Sequence, residues 1–308
     1  MQLSDRIGRR VKLHDLHVLM TVVQAGSMNK SAALLNTTQP AVSRSIADLE
    51  HALGVRLLDR HQQGVEPTEY GHALLRCGVA VFDELRQGMK SIEFLADPTT
   101  GEMRIGCSPF LAASFVYDVV DRLSRRHPRM VFHLVSGDPE ALRSDLHERQ
   151  CDLLLARRSG VLTDEQLCFE FLSDESYVIA AGVQNPWSRR RKIKLAELVG
   201  ESWVMPPPGT VASSMALELF RASGLDFPRA TVFADPDVRM RLLATGRFLS
   251  IFSKIRFSAM LSQMKVLAVD RAMPRVPFGI VTLKDRTLSP GAQLFIKTAR
   301  EVAKLLTK

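Results

Sequence analysis

The sequence predicts an α/β protein in which a small helical module and one long helix precede two doubly wound α/β subdomains. Three observations carry that expectation. Apolar residues recur at helical spacing near the start of the chain, a heptad pattern then runs to about residue 95, and beyond residue 102 short β-rich runs alternate with amphipathic stretches. At 308 residues, 46% hydrophobic and 24% charged, the chain has the length of two or three domains and an ordinary globular composition. No apolar run reaches the ~18 residues that span a bilayer, and "MQLSDRIGRRVKLHDL" lacks the apolar core of a signal peptide. A cytoplasmic location without membrane contact is therefore expected. Cys77, Cys107, Cys151 and Cys168 form no CxxC pair and read as reduced thiols, not as a disulfide framework or zinc site.

Leu13, Leu16, Leu19, Met20 and Val23 repeat at helical spacing, and Gly26-Ser27 breaks the run. Ser27 can cap a second helix over 28–35. Asn36 to Thr38 make a tight turn, and Thr38 caps a third helix with Pro40 in its first turn, where a missing N–H costs nothing. Val42, Ile46, Leu49 and Leu53 then lie at i, i+4, i+7 and i+11, one buried stripe. Gln39, Ser43 and Arg44 fall off that stripe and face out. Two short extended pieces flank Gly64. From Thr68-Glu69 a helix runs to about residue 95, with Leu74, Cys77, Val81, Leu85, Gly88, Ile92 and Leu95 spaced as a heptad seam that pairs with another helix. Residues 96–101 make a hinge.

The strand candidates that follow are 102–107, 131–135 and 152–156, with helices near 110–127 and 138–149 between them; Asp138-Pro139 opens the second. Such βαβαβ order implies a parallel sheet covered on both faces. After an extended stretch over 167–183, the pattern recurs as strands at 202–206, 230–234, 248–252 and 278–283. Helices are expected over 211–223, from Asp235-Pro236, and from Ser289-Pro290. This divides 102–308 into one subdomain of 102–172 with 278–308 and another of 173–277.

The formal charge of +8 does not by itself locate a nucleic-acid site. Residues 1–95 carry 11 Lys/Arg against 10 Asp/Glu, whereas the remainder carries 30 against 23 and suits an anionic small molecule. The turn before Gln39 is the stronger pointer. It fits a helix-turn-helix, whose second helix enters the major groove of duplex DNA by its N-terminal residues. Gln39 pairs with adenine, Arg44 with guanine, and Ser43 with base or phosphate, while Thr37, Thr38 and the helix start suit phosphate oxygens. A solvated face on an α-bundle has the same spacing.

Residues 11–71 resemble the winged helix-turn-helix of the LysR-type transcriptional regulators. The resemblance is carried by Leu13, Leu16, Val22, Gly26-Ser27, Ala32-Ala33, Leu35, "TQPAVSRSIADLE" (38–50), "LGVRLLDR" (53–60) and "PTEYG" (67–71). Leu58 and Pro67 depart from the family's usual Phe and Leu. The resemblance implies a winged helix-turn-helix over 11–68, a linker and dimerisation helix over 69–95, and an effector-binding domain over 102–308 resembling a periplasmic binding protein. It also implies that Gln39, Pro40, Ser43 and Arg44 meet the major groove and that Arg60 and His61 lie in the wing. Ser27 and Asn29, at the start of the preceding helix, join the expected DNA contacts. A homotetramer, a dimer of dimers, is the implied assembly, with RNA polymerase a further partner.

In a doubly wound sheet, ligands bind beyond the carboxyl ends of strands and beside helix N-termini. That rule places a small, carboxylate-bearing effector near Ser108, Pro109, Ser136, Gly137, Met205, Thr210 and Ser253. Arg157 suits a surface ion pair as well as a ligand contact. "SRRRKIK" (188–194) reads as a solvated loop. There is no metal-ligand spacing, P-loop, GxSxG or GxGxxG at a strand–helix turn, so neither a catalytic site nor a metal or other cofactor is expected. The competing functions are a small-molecule-binding module with an N-terminal oligomerisation bundle and an enzyme with an unrecognised site. Residues 38–44 separate the regulator from the module, since dimerisation gives no reason for Gln, Ser and Arg on an exposed face.

Overall fold

The computed structural model describes residues 10–61, 64–108, 111–158, 164–254, 263–271, 273 and 275–306, and divides into two compact units after Lys90. In the first unit α1 (Leu13–Ala25), α2 (Met28–Leu34) and α3 (Gln39–Leu53) close on a core of Val18, Leu19, Val22, Met28, Val42, Ile46 and Leu49. The stripe on α3 is therefore buried, through Leu49, as its spacing requires. Asn36 sits at φ 50° and turns the chain, and the Thr38 hydroxyl accepts from Ala41 N at 3.4 Å. That bond satisfies one of the donors left free at the start of α3.

The wing is a hairpin of β1 (Leu58–His61) and β2 (Gly64–Pro67), paired from Leu58 opposite Pro67 to His61 opposite Gly64. Its tip, residues 62–63, lies outside the described residues. Two contacts tie it down. Glu50 accepts from Leu57 N at 2.7 Å and Leu58 N at 3.2 Å, and Val65 N donates to Gly26 O at 3.1 Å. A Cβ on Gly64 would stand 2.8 Å from that carbonyl, at a φ of 148°. Only glycine fits there comfortably. Pro67 closes β2 at its last residue, where a two-stranded ribbon tolerates a missing N–H. α4 (Glu69–Ala96) follows, and Gly78 brings it against Leu16 and Met20 of α1.

The second unit is built as two lobes. The first has β3 (Thr100–Cys107), a π turn at Ala112–Val116 leading into α5 (Tyr117–Arg126), β4 (Arg129–Ser136), α6 (Pro139–His147) and β5 (Leu153–Arg157). β6 (Leu167–Gly182) then carries the chain across. The second lobe has β7 (Trp203–Met205), α7 (Val211–Ala222), β8 (Ala230–Phe233), α8 (Pro236–Ala244), β9 (Leu249–Ser253) and β10 (Met264–Val266). β11 (Arg275–Leu283) returns to the first lobe, which α9 (Pro290–Leu306) completes.

Among the described residues the strands run β4-β3-β5-β11-β6-β9-β7-β8, with β10 on the free side of β6. β3 is parallel to β4 and β5, and β7 to β8 and β9, as βαβ units demand. β6 and β11, by contrast, pair antiparallel to each other and to β5, β9 and β10, which makes the sheet as a whole mixed. They run opposite ways because one carries the chain out of the first lobe and the other brings it back. β6 faces β11 as far as Ser176 and β9 from Tyr177, so a single strand belongs to both lobes.

Each lobe is covered on both faces. In the first, Met103, Ile105, Phe115, Leu155, Phe278 and Phe295 pack between the sheet, α5 and α9, while Leu142, Leu146, Leu154 and Val281 lie under α6. In the second, Trp203, Met205, Ala216 and Phe220 pack under α7, and Ala180, Val204, Leu243 and Phe252 under α8. Asp138 caps α6, accepting from Glu140 N and Ala141 N at 3.0 Å. Residues 97–100 form a bonded turn: Asp97 accepts from Thr99, and Arg129 of β4 pairs with Asp97. These contacts, Thr99 foremost, hold the Asp97 carboxyl below its usual range.

Two short 3₁₀ turns, Pro186–Arg189 and Leu195–Leu198, and the strand β10 were not expected from the pattern. Each spans only three or four residues, too few for a period to register. The basic segment 188–194 is exposed at its charges but anchored by buried Ser188 and Ile193. Among the described residues no helix is long and apolar enough to cross a membrane, and no group of three or more His, Cys, Asp or Glu is placed to hold a metal.

Candidate functional site

Two surfaces collect the residues singled out above, one in each unit. In the first, burial of Val42, Ile46 and Leu49 fixes the roll of α3, which leaves Gln39, Pro40 and Arg44 exposed and Ser43 half-buried on its opposite side. Thr37 and Thr38 are exposed just before the helix, and Asn29 is exposed on α2. Ser45 donates to Asp15 at 2.7 Å and so fastens α3 to α1. Beside this face lies an open groove of about 420 Å³ lined by Ser27, Lys30, Arg60, His61 and Gly64, among others. Lys30 was missed in the sequence because its alignment with Arg60 and His61 depends on the wing folding back onto Gly26.

The second surface is the cleft between the lobes. A cavity of about 80 Å³ is lined by Ser108, Leu111, Gly137, Pro139, Leu142, Arg157 and Val211, with Leu154 to Ala156 at its floor. It therefore joins the carboxyl ends of β3, β4 and β5 to the first residue of α7. Ser108 is half-buried and its hydroxyl accepts from Leu111 N at 3.4 Å. Thr210 is exposed beside Val211; its hydroxyl caps α7, accepting from Ser213 N at 3.2 Å, and donates to Pro207 O at 2.8 Å.

The remaining candidates are spread out. Ser136 is exposed at the end of β4, and Met205 is fully buried in the core under α7. Strand position alone does not say which face a residue takes, and Met205 takes the inner one. Ser253 is 2% exposed and stands directly opposite Tyr177. Pro109 lies outside the described residues.

Arg157 emerges with a defined partner. Its guanidinium grips Glu175 through two hydrogen bonds, of 2.5 and 3.1 Å, and the carboxylate is fully buried. Burial opposes the charge on Arg157, but the hydrogen bonds and charge of Glu175 outweigh it and hold the guanidinium above its usual value. Glu175, Tyr177 and Arg239 went unmarked in the sequence, since nothing local distinguishes them. Arg239 of α8 is 3% exposed and donates to Ser250 Oγ at 3.1 Å and Ile251 O at 2.6 Å. Cys107 and Cys151 are buried, and that burial pushes both thiols up to about 11. Thiols so held stay protonated and unreactive at neutral pH.

A helix-turn-helix followed by a two-lobed α/β domain with a cleft defines a ligand-linked DNA-binding protein. Residues 13–72 match the family described as "Bacterial regulatory helix-turn-helix protein, lysR family", and residues 96–304 match "LysR substrate binding domain". The chain belongs to the LysR family of transcriptional regulators. The HTH-type transcriptional regulator GbpR of Azospirillum brasilense is 27% identical over 297 residues, covering 94% of this chain and 86% of that one. Among solved structures, a full-length OxyR variant from Pseudomonas aeruginosa superposes with a TM-score of 0.65 at 17% identity, covering 96% and 97% of the two chains. Full-length CbnR complexed with its target DNA gives 0.57 at 19% identity, covering 95% of this chain and all of the other. These structural likenesses concern the fold.

Proposed function

We propose that this regulator, acting in the cytoplasm and not as an enzyme, reads duplex DNA through the start of α3 and answers to a small carboxylate held between its lobes. The polar face made by exposed Gln39 and Arg44 with half-buried Ser43 carries the reading. It stands at the end of the helix that the core leaves projecting, where two side chains with bidentate reach are available to base edges. Thr37, Thr38, Asn29 and the groove of Ser27, Lys30, Arg60 and His61 offer donors to the flanking phosphates, which set register without specifying sequence.

An anionic effector is supported by two features of the second unit. α7 begins at the cleft wall, and free N–H groups with partial positive charge gather at a helix start. Ser108 and Gly137 face it from the ends of β3 and β4. Binding between lobes biases their arrangement, and through it DNA bending or contact with RNA polymerase, by as much as the effector's affinity differs between the arrangements. Assembly as a dimer of dimers is part of the same reading. Leu85, Met89, Ile92 and Leu95 of α4 are 47%, 62%, 68% and 81% exposed in the single chain, a row of apolar side chains suited to a partner helix.

Selection of binding sites from random duplexes, followed by fluorescence anisotropy, tests the DNA half. Gln39→Ala and Arg44→Ala should each weaken the selected site by about 1–3 kcal/mol and relax its sequence preference. Wild-type behaviour in both variants would remove α3 as the reading helix. Thermal-shift screening of carboxylates tests the other half, since a ligand bound only to the folded state raises apparent stability by mass action. Ser108→Ala together with Thr210→Ala should weaken the response, and an effector that is neutral or cationic would overturn the anionic assignment.

A further inference from the structure

Four polar side chains converge where β6 passes from one lobe to the other. Glu175 and Tyr177 alternate along the strand, so they share a face on either side of the point at which β6 exchanges β11 for β9. Ser253, at the end of β9, is the cross-strand neighbour of Tyr177. Arg157, at the end of β5, grips Glu175 and also lines the cleft. Tyr177 and Ser253 are each 2% exposed, and neither hydroxyl has a hydrogen-bond partner. The Tyr177 hydroxyl lies close enough to Glu175 and Arg157 for their charges and weak hydrogen-bonding contact to act on it, but neither meets it in full hydrogen-bond geometry. Buried hydroxyls are nearly always bonded, so two facing each other unsatisfied beside a ligand cleft call for a third group.

The surrounding charges say what kind of group. Arg157 and Glu175 already neutralise each other, so that pair offers no net charge to a ligand. A second carboxylate here would meet the buried Glu175 in a dry interior, and an ammonium would meet Arg157 and Arg239, whose charge also reaches the Tyr177 hydroxyl; either is unfavourable. A neutral group avoids both penalties. It must accept from the hydroxyls of Tyr177 and Ser253, and it gains further by donating to the remaining lone pairs of Glu175. An alcohol does all three.

We propose that the effector is a hydroxy acid: its carboxylate lies at the Ser108 and α7 end of the cleft, and a hydroxyl on the same molecule is read by Tyr177 and Ser253. This rests on the cleft reading above and narrows it from carboxylates at large to those bearing an alcohol. Tyr177 and Ser253 are then the specificity-determining residues, and the Arg157–Glu175 pair keeps charged groups out of the hydroxyl subsite. The burial of the phenol and the charge of Glu175 also hold the Tyr177 hydroxyl well above its usual pKa, so it remains a proton donor throughout the physiological range.

Calorimetry on the full-length protein with acids matched in skeleton tests this. The probes are 4-hydroxybutyrate against butyrate, malate against succinate, and gluconate against 2-deoxygluconate. In the wild type at least one hydroxylated acid should bind about tenfold or more tightly than its deoxy partner, since a site built for a hydroxyl penalises its absence. Tyr177→Phe and Ser253→Ala should each pull that ratio towards one by weakening the hydroxylated acid alone. Because each ratio is measured within a single variant, a general loss of stability does not imitate the result. Equal affinities within every pair in the wild type, or a ratio that survives both substitutions, would overturn the hydroxyl assignment and leave the carboxylate cleft standing. If none of the acids bound, the assignment would fall together with that cleft reading.

Discussion

Gly64 illustrates how a single residue fixes the DNA-contacting surface. Its missing Cβ lets β2 come against the Gly26 carbonyl, which sets Arg60 and His61 beside Lys30. Gly64→Val should lower the melting temperature, because it combines a disfavoured φ with a backbone clash, on the order of 1–3 kcal/mol. It should also weaken DNA binding without altering which bases are preferred, since phosphate contacts are what it disturbs. Anisotropy on the preferred and a scrambled duplex reads both effects. The cysteines give a second expectation at this scale. Exposed Cys168 should be alkylated by iodoacetamide at pH 8, whereas Cys107 and Cys151, protonated there because burial raises them to about 11, should react only after denaturation. Mass spectrometry of the labelled peptides distinguishes the two classes.

At the scale of the element, α3 and α4 were the most legible parts of the chain. Their faces follow from spacing alone: Val42, Ile46 and Leu49 turn inward, and the heptad row on α4 is left bare from Leu85 to Leu95. Replacing Leu85 and Ile92 by Lys places charge where a partner helix would exclude water, and should lower the mass measured by light scattering. An unchanged mass would separate α4 from assembly. The directions of β3, β4 and β5 were legible in their βαβ order, but those of β6 and β11 were not, because these two look like any other apolar run. The constellation of Arg157, Glu175, Tyr177 and Ser253 was hidden for the same reason. It is made by the β6–β11 and β6–β9 registers, and local sequence carries no record of register between strands so far apart.

For the molecule as a whole, the feature with the widest reach is the late return of β11. β5 waits for a neighbour supplied about 120 residues further along, since Arg157 pairs opposite Phe278. The apolar interior of the first lobe is likewise closed by Phe295, Ala299 and Val302 of α9. The second lobe draws its strands from one continuous stretch, Tyr177 to Val266, and has no such debt. On a ribosome adding about 5–20 residues per second, the first lobe therefore stands open for roughly 6–24 s, with Leu153 to Leu155 presenting an unpaired edge. Released chains truncated at residue 270 should resist protease over 177–253 and be cut within 111–157. The same order makes β5 the place where a chaperone, or another unfinished chain, first finds something to hold.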